Sequence, residues 1–296
     1  MVSDNALHPP PVLVTGATGR VGRLVVAQLL DAGVPVRALT RRPDAARLPA
    51  GVEIVAGDLT VPESLDAALR GAGSVFLLWT APPATAPAVI GRLASHTPRV
   101  VFLSSPHQTP HPFFQQPNPM AVLHADIERL IVTAGLASTI IRPGMLASNA
   151  RFWWADMIRG GEVVRWPYRS AETAPIDERD VAAVTARALH EDGHAGGDYV
   201  LTGPESLNQA EQVSIIGESI GRRIRFHELS PDEFRRETAG SWPRPIVDML
   251  LAAWGATIGR PAFVTSTVAD VTGSRARTFR QWAVDNADAF RGASGR

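Results

Sequence analysis

The chain of 296 residues has no cysteine, which excludes disulfides, thiolate nucleophiles and cysteine-held metals. It has no lysine either, since all 29 basic residues are arginine, so neither a Schiff base nor a catalytic ammonium is available. Tyrosine is scarce, at Tyr168 and Tyr199 alone. The formal net charge is zero, and with no overall field there is no support for a nucleic-acid partner or an anionic membrane surface. No run of about eighteen apolar residues is present to span a bilayer. The first eleven residues carry one acid and three prolines, unlike the basic-then-apolar order of a secretory leader. The expectation is a cytoplasmic globular protein, monomer or homodimer, whose 45% hydrophobic content supports a sizeable core.

Against these absences stands one dense signal. Val12-Leu13-Val14 is followed by Thr15-Gly16-Ala17-Thr18-Gly19-Arg20-Val21-Gly22 and then by Leu24, Val25, Leu29 and Leu30 at helical spacing. An apolar strand, glycines three apart and an amphipathic helix together read as a dinucleotide-binding turn. Gly16 permits the tight turn, Gly19 lets backbone amides approach a pyrophosphate, and Gly22 lets the helix pack on the sheet. The helix N-terminus then receives the phosphate charge.

Apolar segments at Val34 to Leu39, Val52 to Val55, Ser74 to Trp79, Arg99 to Leu103 and Ser138 to Ile141 alternate with helical patterns at Ser64 to Leu69, Ala86 to Ala94 and Leu123 to Ala134. Such alternation predicts right-handed crossovers and a Rossmann doubly wound parallel sheet, an α/β fold. Beyond Pro143 the pattern loosens into an aromatic, loop-rich region. Helices follow at Val181 to Leu189, Asn208 to Ile220, Ser230 onward, Ile246 to Ala256 and Thr278 to Ala289, with short strands at Tyr199 to Thr202 and Ile224 to Leu229. Asn208 and Glu211 have capping-box spacing, and Ser230-Pro231-Asp232-Glu233 reads as a cap, a first-position proline and an acidic first turn. The predicted division is an NADP-binding domain over 1–145 and a small C-terminal α+β substrate lobe over 146–296, the chain partly returning to the main sheet near 176–202.

In this fold the end of the second strand selects the cofactor, because an acid there accepts from the ribose and repels a 2′-phosphate. Here the residues are Thr40-Arg41-Arg42, whose guanidiniums suit a phosphomonoester and favour NADP over NAD. Asp58 with Leu59 is placed to meet the adenine edge or to cap the following helix. Trp79, Thr80 and Ala81, and Ser104 with Ser105, end the fourth and fifth strands, where ligands of open sheets sit. The expected cofactor contacts are Gly16, Thr18, Gly19, Arg20, Val21, Gly22, Arg41, Arg42, Asp58, Leu59, Trp79, Thr80, Ala81, Ser104, His124 and Pro143. The aromatics Phe113, Phe114, Phe152, Trp153, Trp154, Trp166 and Trp242 could stack on a flat or cationic molecule or pack as core. Of these, Phe113, Phe152, Trp153 and Trp166, with Met120, are the expected substrate contacts. Asp177, Arg179 and Asp180 read as a helix start that fixes the lobe. His107, His111 and His124 lack metal-ligand spacing, and no metal is expected.

The run from Val12 to Gly22, Val36-Arg37-Ala38-Leu39 with Arg41, Gly57-Asp58-Leu59, Phe102 to Ser105, His124 to Glu128, Ile141-Arg142-Pro143-Gly144, Asp177 to Val181 and Tyr199 to Pro204 together resemble the NmrA-like, atypical short-chain dehydrogenase/reductases over nearly the whole chain. Gly193-His194-Ala195-Gly196 followed by Tyr199 to Glu205 looks most like the ergot-alkaloid-type reductases and their bacterial relatives. The resemblance implies an NADPH-binding Rossmann domain, a C-terminal substrate lobe, and reduction of iminium, quinone or enone acceptors. It also implies two alternatives: a nucleotide sensor without catalysis, or a scaffold used for non-redox cyclisation.

One departure matters. Many short-chain dehydrogenases protonate a carbonyl oxygen with a tyrosine four residues before a lysine, the ammonium lowering the phenol pKa. Here the comparable helix reads Met120-Ala121-Val122-Leu123-His124, with His124 where relatives often have lysine. His124 and Ser104 are thus the candidate catalytic residues, and the acceptor expected is a planar aromatic or conjugated small molecule.

Overall fold

This computed structural model describes residues 9–97 and 99–291; the leader reading of the first eleven residues falls mostly outside them. By compactness the chain separates into two units. One holds the described residues of Met1–Ser105 with Met120–Pro143 and Glu178–Tyr199; the other holds Pro106–Pro119, Gly144–Asp177 and the described residues of Val200–Arg296.

The first unit is built on β1 (Val12–Val14), α1 (Gly22–Asp31), β2 (Val36–Thr40), β3 (Glu53–Ala56), α2 (Asp66–Leu69), β4 (Ser74–Leu78), α3 (Ala86–His96), β5 (Arg99–Leu103), α4 (Pro119–Thr133) and β6 (Ala137–Pro143). With β9 (Asp198–Leu201) the strands form a seven-stranded sheet in the order β3-β2-β1-β4-β5-β6-β9, and the pairs from β3 through β6 are parallel. Successive side chains of a strand point to opposite faces. Leu13, Val75, Leu77, Val100 and Phe102 therefore share one core with Leu69 of α2, Val89 and Leu93 of α3, and Ile127 and Ile131 of α4. Helices α1 and α6 (Glu178–His190) pack together on the sheet's other side, where Gln28 donates to the Arg179 carbonyl at 2.9 Å. The doubly wound Rossmann architecture follows from strands apolar on both faces.

Sequence and structure differ in detail here. Ser64 to Leu69 is a 3₁₀ turn over Pro62–Leu65 followed by the single turn of α2. Helix α4 begins a turn earlier than its apolar spacing predicts, with Pro119 as its first residue, a position where the missing N–H costs nothing.

The second unit contains α5 (Asn149–Gly160), β7 (Val163–Pro167), β8 (Glu172–Thr173), the end of β9 (Asp198–Leu201), β10 (Leu207–Asn208), α7 (Gln209–Ser219), β11 (Arg225–Leu229), α8 (Pro231–Glu237), α9 (Arg244–Gly255), α10 (Thr267–Thr272) and α11 (Phe279–Asp285). The region read as aromatic and loop-rich is α5 and β7. Ala150, Trp154 and Ile158 recur every fourth residue on the buried face of α5. Strand β7 pairs in parallel with β11, and β8 runs antiparallel to β10. Asn208, Ser230 and Thr278 each close a capping box, with Glu211, Glu233 and Gln281 respectively. The core is aromatic: the Trp254 ring lies 5.3 Å from Trp153, 5.6 Å from Trp166 and 6.2 Å from Phe234. Edge-to-face packing of this kind adds to the area buried. Among the described residues no helix is long and apolar enough to cross a membrane. Trp254→Ala should lower the stability of the protein by about 3–5 kcal/mol, measured by urea unfolding followed through circular dichroism.

Candidate functional site

The turn after β1 closes on itself. Gly16 sits at φ +63°, and the Gly19 amide donates to its carbonyl at 2.8 Å. A Cβ placed on Gly22 would lie 2.1 Å from the Gly16 carbonyl oxygen, so only glycine lets α1 start this close to the strand. Thr15 fixes the strand's end: its Oγ1 accepts from the Leu78 amide at 2.8 Å and donates toward the Phe76 carbonyl at 3.1 Å, joining β1 to β4. Helix α1 has neither a side-chain cap nor an acid in its first turn, leaving its positive end available to an anion. Arg23 reaches back to donate to the Gly19 and Thr18 carbonyls at 3.2 and 3.0 Å. Thr18 and Arg20 are exposed, while Val21 is buried under the helix.

At the end of β2, Arg41 and Arg42 are exposed and have no carboxylate partner among the described residues. Asp58, after β3, accepts at Oδ1 from the Thr60 amide at 2.8 Å. Leu59, Trp79 and Ala81 belong to the buried core, and Trp79 Nε1 donates to the Ala81 carbonyl at 2.7 Å. Thr80, between Trp79 and Ala81, is exposed. Pro143 is half-buried at the end of β6.

A buried network lies between β5, α4, β6 and β9. Ser104 Oγ donates to Glu128 Oε1. Glu128 is gripped by both arms of the Arg142 guanidinium, at 2.7 and 2.9 Å. Arg142 Nε donates to Asp198 at 2.6 Å and Nη1 to the Ser105 carbonyl at 2.9 Å. The Arg142 side chain is 3% exposed and that of Glu128 11%. Burial alone would lower the Arg142 pKa, but the hydrogen bonds and charges of Asp198 and Glu128 outweigh it and hold the pKa above its ordinary value. The network pins α4, on which Met120, His124 and Glu128 recur every fourth residue, running from exposed to half-buried to buried. His124 packs edge-on against Phe102, with centroids 5.7 Å apart.

Within the second unit lies a narrow cleft lined chiefly by His111, Phe113, Phe114, Met145, Phe263 and Glu172. Of the expected substrate contacts it includes Phe113. Trp153 and Trp166 pack instead against one another and Trp254, Trp166 being 4% exposed. Phe152 is 71% exposed and lies beside Trp242, and Met120 is exposed on α4 of the first unit.

Residues 16–192 match the model of a family described as NAD(P)H-binding. The chain belongs to that family. It is 36% identical to the (4-alkanoyl-5-oxo-2,5-dihydrofuran-3-yl)methyl phosphate reductase of Streptomyces griseus over 288 residues, spanning 94% of this chain and 99% of that protein. It is 30% identical to the NAD(P)H azoreductase of Xenophilus azovorans over 287 residues, spanning 94% and 99%. The fold matches that of the Escherichia coli NADPH-dependent quinone oxidoreductase crystallised with NADPH, with a TM-score of 0.78 at 21% identity, covering 93% of this chain and 99% of that one. The protein is an NmrA-like, NAD(P)H-dependent oxidoreductase. The glycine cradle that a single Cβ would fill, at the uncapped end of α1, fits the cofactor of this NAD(P)H-binding family.

Two outcomes follow from this geometry. Gly22→Ala should lose NAD(P)H binding, or the fold itself, as read by nucleotide titration and circular dichroism. Glu128→Ala should cost about 3 kcal/mol in unfolding free energy by leaving Arg142 charged and buried, whereas truncating an exposed ion pair such as Arg129–Asp126 should cost under about 1 kcal/mol.

Proposed function

We propose that this oxidoreductase uses NADPH to reduce a planar, conjugated small molecule, an iminium, quinone or enone, without a protein acid at the reacting bond. The observation that carries the proposal is the commitment of the Ser104 hydroxyl hydrogen to Glu128. With its one hydrogen engaged, Ser104 offers a ligand lone pairs only. Tyr199 is likewise engaged, its hydroxyl lying 2.9 Å from His194 Nδ1.

When bound, the cofactor supplies a hydride from its nicotinamide ring. The residues proposed to hold it are the backbone from Gly16 to Gly22 and the first turn of α1 at the pyrophosphate, with Arg41 and Arg42 at a 2′-phosphate. The backbone around Asp58, Leu59 and Thr80, together with Ser104 and His124, is proposed to line the remainder. An iminium carbon needs no proton when hydride arrives, because the π pair returns to nitrogen. A quinone spreads its developing charge over the ring, and an enone passes it to an enolate oxygen. Each suits a site that works by positioning, His124 being the residue proposed to relay a proton afterwards.

Two measurements test this reading. Arg41→Ala, alone or with Arg42→Ala, should weaken NADPH binding about 10- to 100-fold, the scale of one or two charge-assisted hydrogen bonds, and leave NADH binding nearly unchanged; equal loss for both nucleotides would remove the phosphate assignment. Purified protein with NADPH should reduce naphthoquinones and cyclic iminium salts and leave simple dialkyl ketones untouched. Ketone reduction at comparable rates would show that a protein proton donor is present after all.

A further inference from the structure

Ser104, Glu128, Arg142 and Asp198 all belong to the first unit, with the nucleotide turn, and their hydrogen bonds run in one direction. Arg142 carries donors only. Its guanidinium meets Glu128 Oε1 at 2.7 Å and Oε2 at 2.9 Å, so both carboxylate oxygens accept. The hydrogen shared by Ser104 and Glu128 Oε1 comes from the serine, and Glu128 is the one acceptor of that hydroxyl among the described residues. The Ser104 amide is committed as well, donating to the Ile141 carbonyl at 2.8 Å. Ser104 directly follows β5, at the carboxyl edge where the ligand of an open α/β sheet lies, yet both of its hydrogens are turned into the protein.

That commitment bears on which acceptors can react. Hydride transfer to a ketone leaves the C=O π pair on oxygen, and one well-placed donor to such an oxyanion is worth about 100- to 1,000-fold in rate. Hydride transfer to an iminium leaves no oxyanion to stabilise.

We propose that Glu128 is the specificity-determining residue that keeps this protein from reducing ketones, with Arg142 as the positioning residue that holds it; the proposal rests on the reading of the protein as a reductase of planar acceptors. Glu128 acts through Ser104, by withholding the one hydrogen that its hydroxyl has to give. With the ion pair removed, that hydrogen is left for an acceptor's oxygen. The carbonyl carbon then gains hydride from NADPH, which is left as NADP⁺. The C=O π pair becomes an oxygen lone pair that accepts from Ser104, and water supplies the proton that completes the alcohol. Because the oxygen gains its charge only as the C–H bond forms, the effect belongs in kcat rather than KM.

The test uses the full chain and a double variant, Glu128→Leu with Arg142→Met. Apolar side chains of similar size in place of both partners strand neither charge, and Asp198, whose side chain is 47% exposed, keeps access to water. Acetophenone and N-methyl-3,4-dihydroisoquinolinium are compared as acceptors with NADPH. The ratio of acetophenone to iminium kcat should rise about 100-fold in the variant, and adding Ser104→Ala should cancel the rise. An unchanged ratio, or a rise that survives Ser104→Ala, overturns the proposal. Binding gives a second readout, the infrared C=O band of acetophenone, labelled at its carbonyl carbon and held with NADP⁺. The band should move to lower frequency in the double variant, and no such move overturns the proposal. Should the variant fold poorly, wild type and Ser104→Ala decide, since their bands should coincide. A wild-type band lower than that of Ser104→Ala shows that Ser104 donates with Glu128 in place, and overturns the proposal. If the band moves as expected but neither protein reduces any acceptor, the reductase reading fails while the hold of Glu128 on Ser104 stands.

Discussion

The approach of Gly22 to the Gly16 carbonyl is the constraint on which the nucleotide half of this molecule rests. It sets the angle at which α1 leaves β1, and β1 is the strand at which the sheet's order reverses, with β2 and β3 on one side and β4 to β6 on the other. In open α/β sheets the crevice at such a reversal receives the ligand. Thr15, next in the chain, ties β1 to β4 across that point, so the turn cannot shift without disturbing the central strand pair. The three capping boxes of the second unit emphasise the contrast with α1, whose first turn carries no such side chain.

The exclusive use of arginine shapes the rest of the first unit. A guanidinium is charged at any pH the protein meets and presents a planar fork of donors, where an ammonium is a point charge that burial can neutralise. Arg142 uses that fork fully, meeting Glu128, Asp198 and the Ser105 carbonyl at once. A lysine there could not grip Glu128 with two parallel bonds while also reaching Asp198. The orientation of Ser104 is therefore set two steps away, by an ion pair whose members lie fourteen positions apart on a helix and a strand.

That separation also marks what the sequence could reveal. Apolar strands bracketed by glycine, and caps such as Asn208 with Glu211, depend on residues close in the chain and are legible from it. Helix α5 was obscured because Phe152, Trp153 and Trp154 draw attention as a ligand surface, whereas the period that matters is Ala150, Trp154, Ile158. Trp166 belongs to the core because β7 turns it toward Phe234 and Trp254, a fact of tertiary packing with no local trace. The Glu128–Arg142 pair did leave a signal. Arg142 interrupts the run Thr139-Ile140-Ile141, and Glu128 stands beside Ile127 on the apolar face of α4, so two charges occupy core positions and each requires the other.

The commitment of the Ser104 hydroxyl to Glu128 bears on where charge could go in the proposed reduction. Hydride addition to a ketone would place an alkoxide in a region whose buried hydroxyl is already turned toward Glu128, and an unneutralised oxyanion in such surroundings is costly. Addition to an iminium removes charge, and addition to a quinone disperses it. The electrophilicity that other members of the wider short-chain dehydrogenase group obtain from a protonating tyrosine must then reside in the substrate itself. On the proposed function, selectivity then lies in the electrophilicity of the acceptor, and the rate in the positioning of that molecule and its hydride donor.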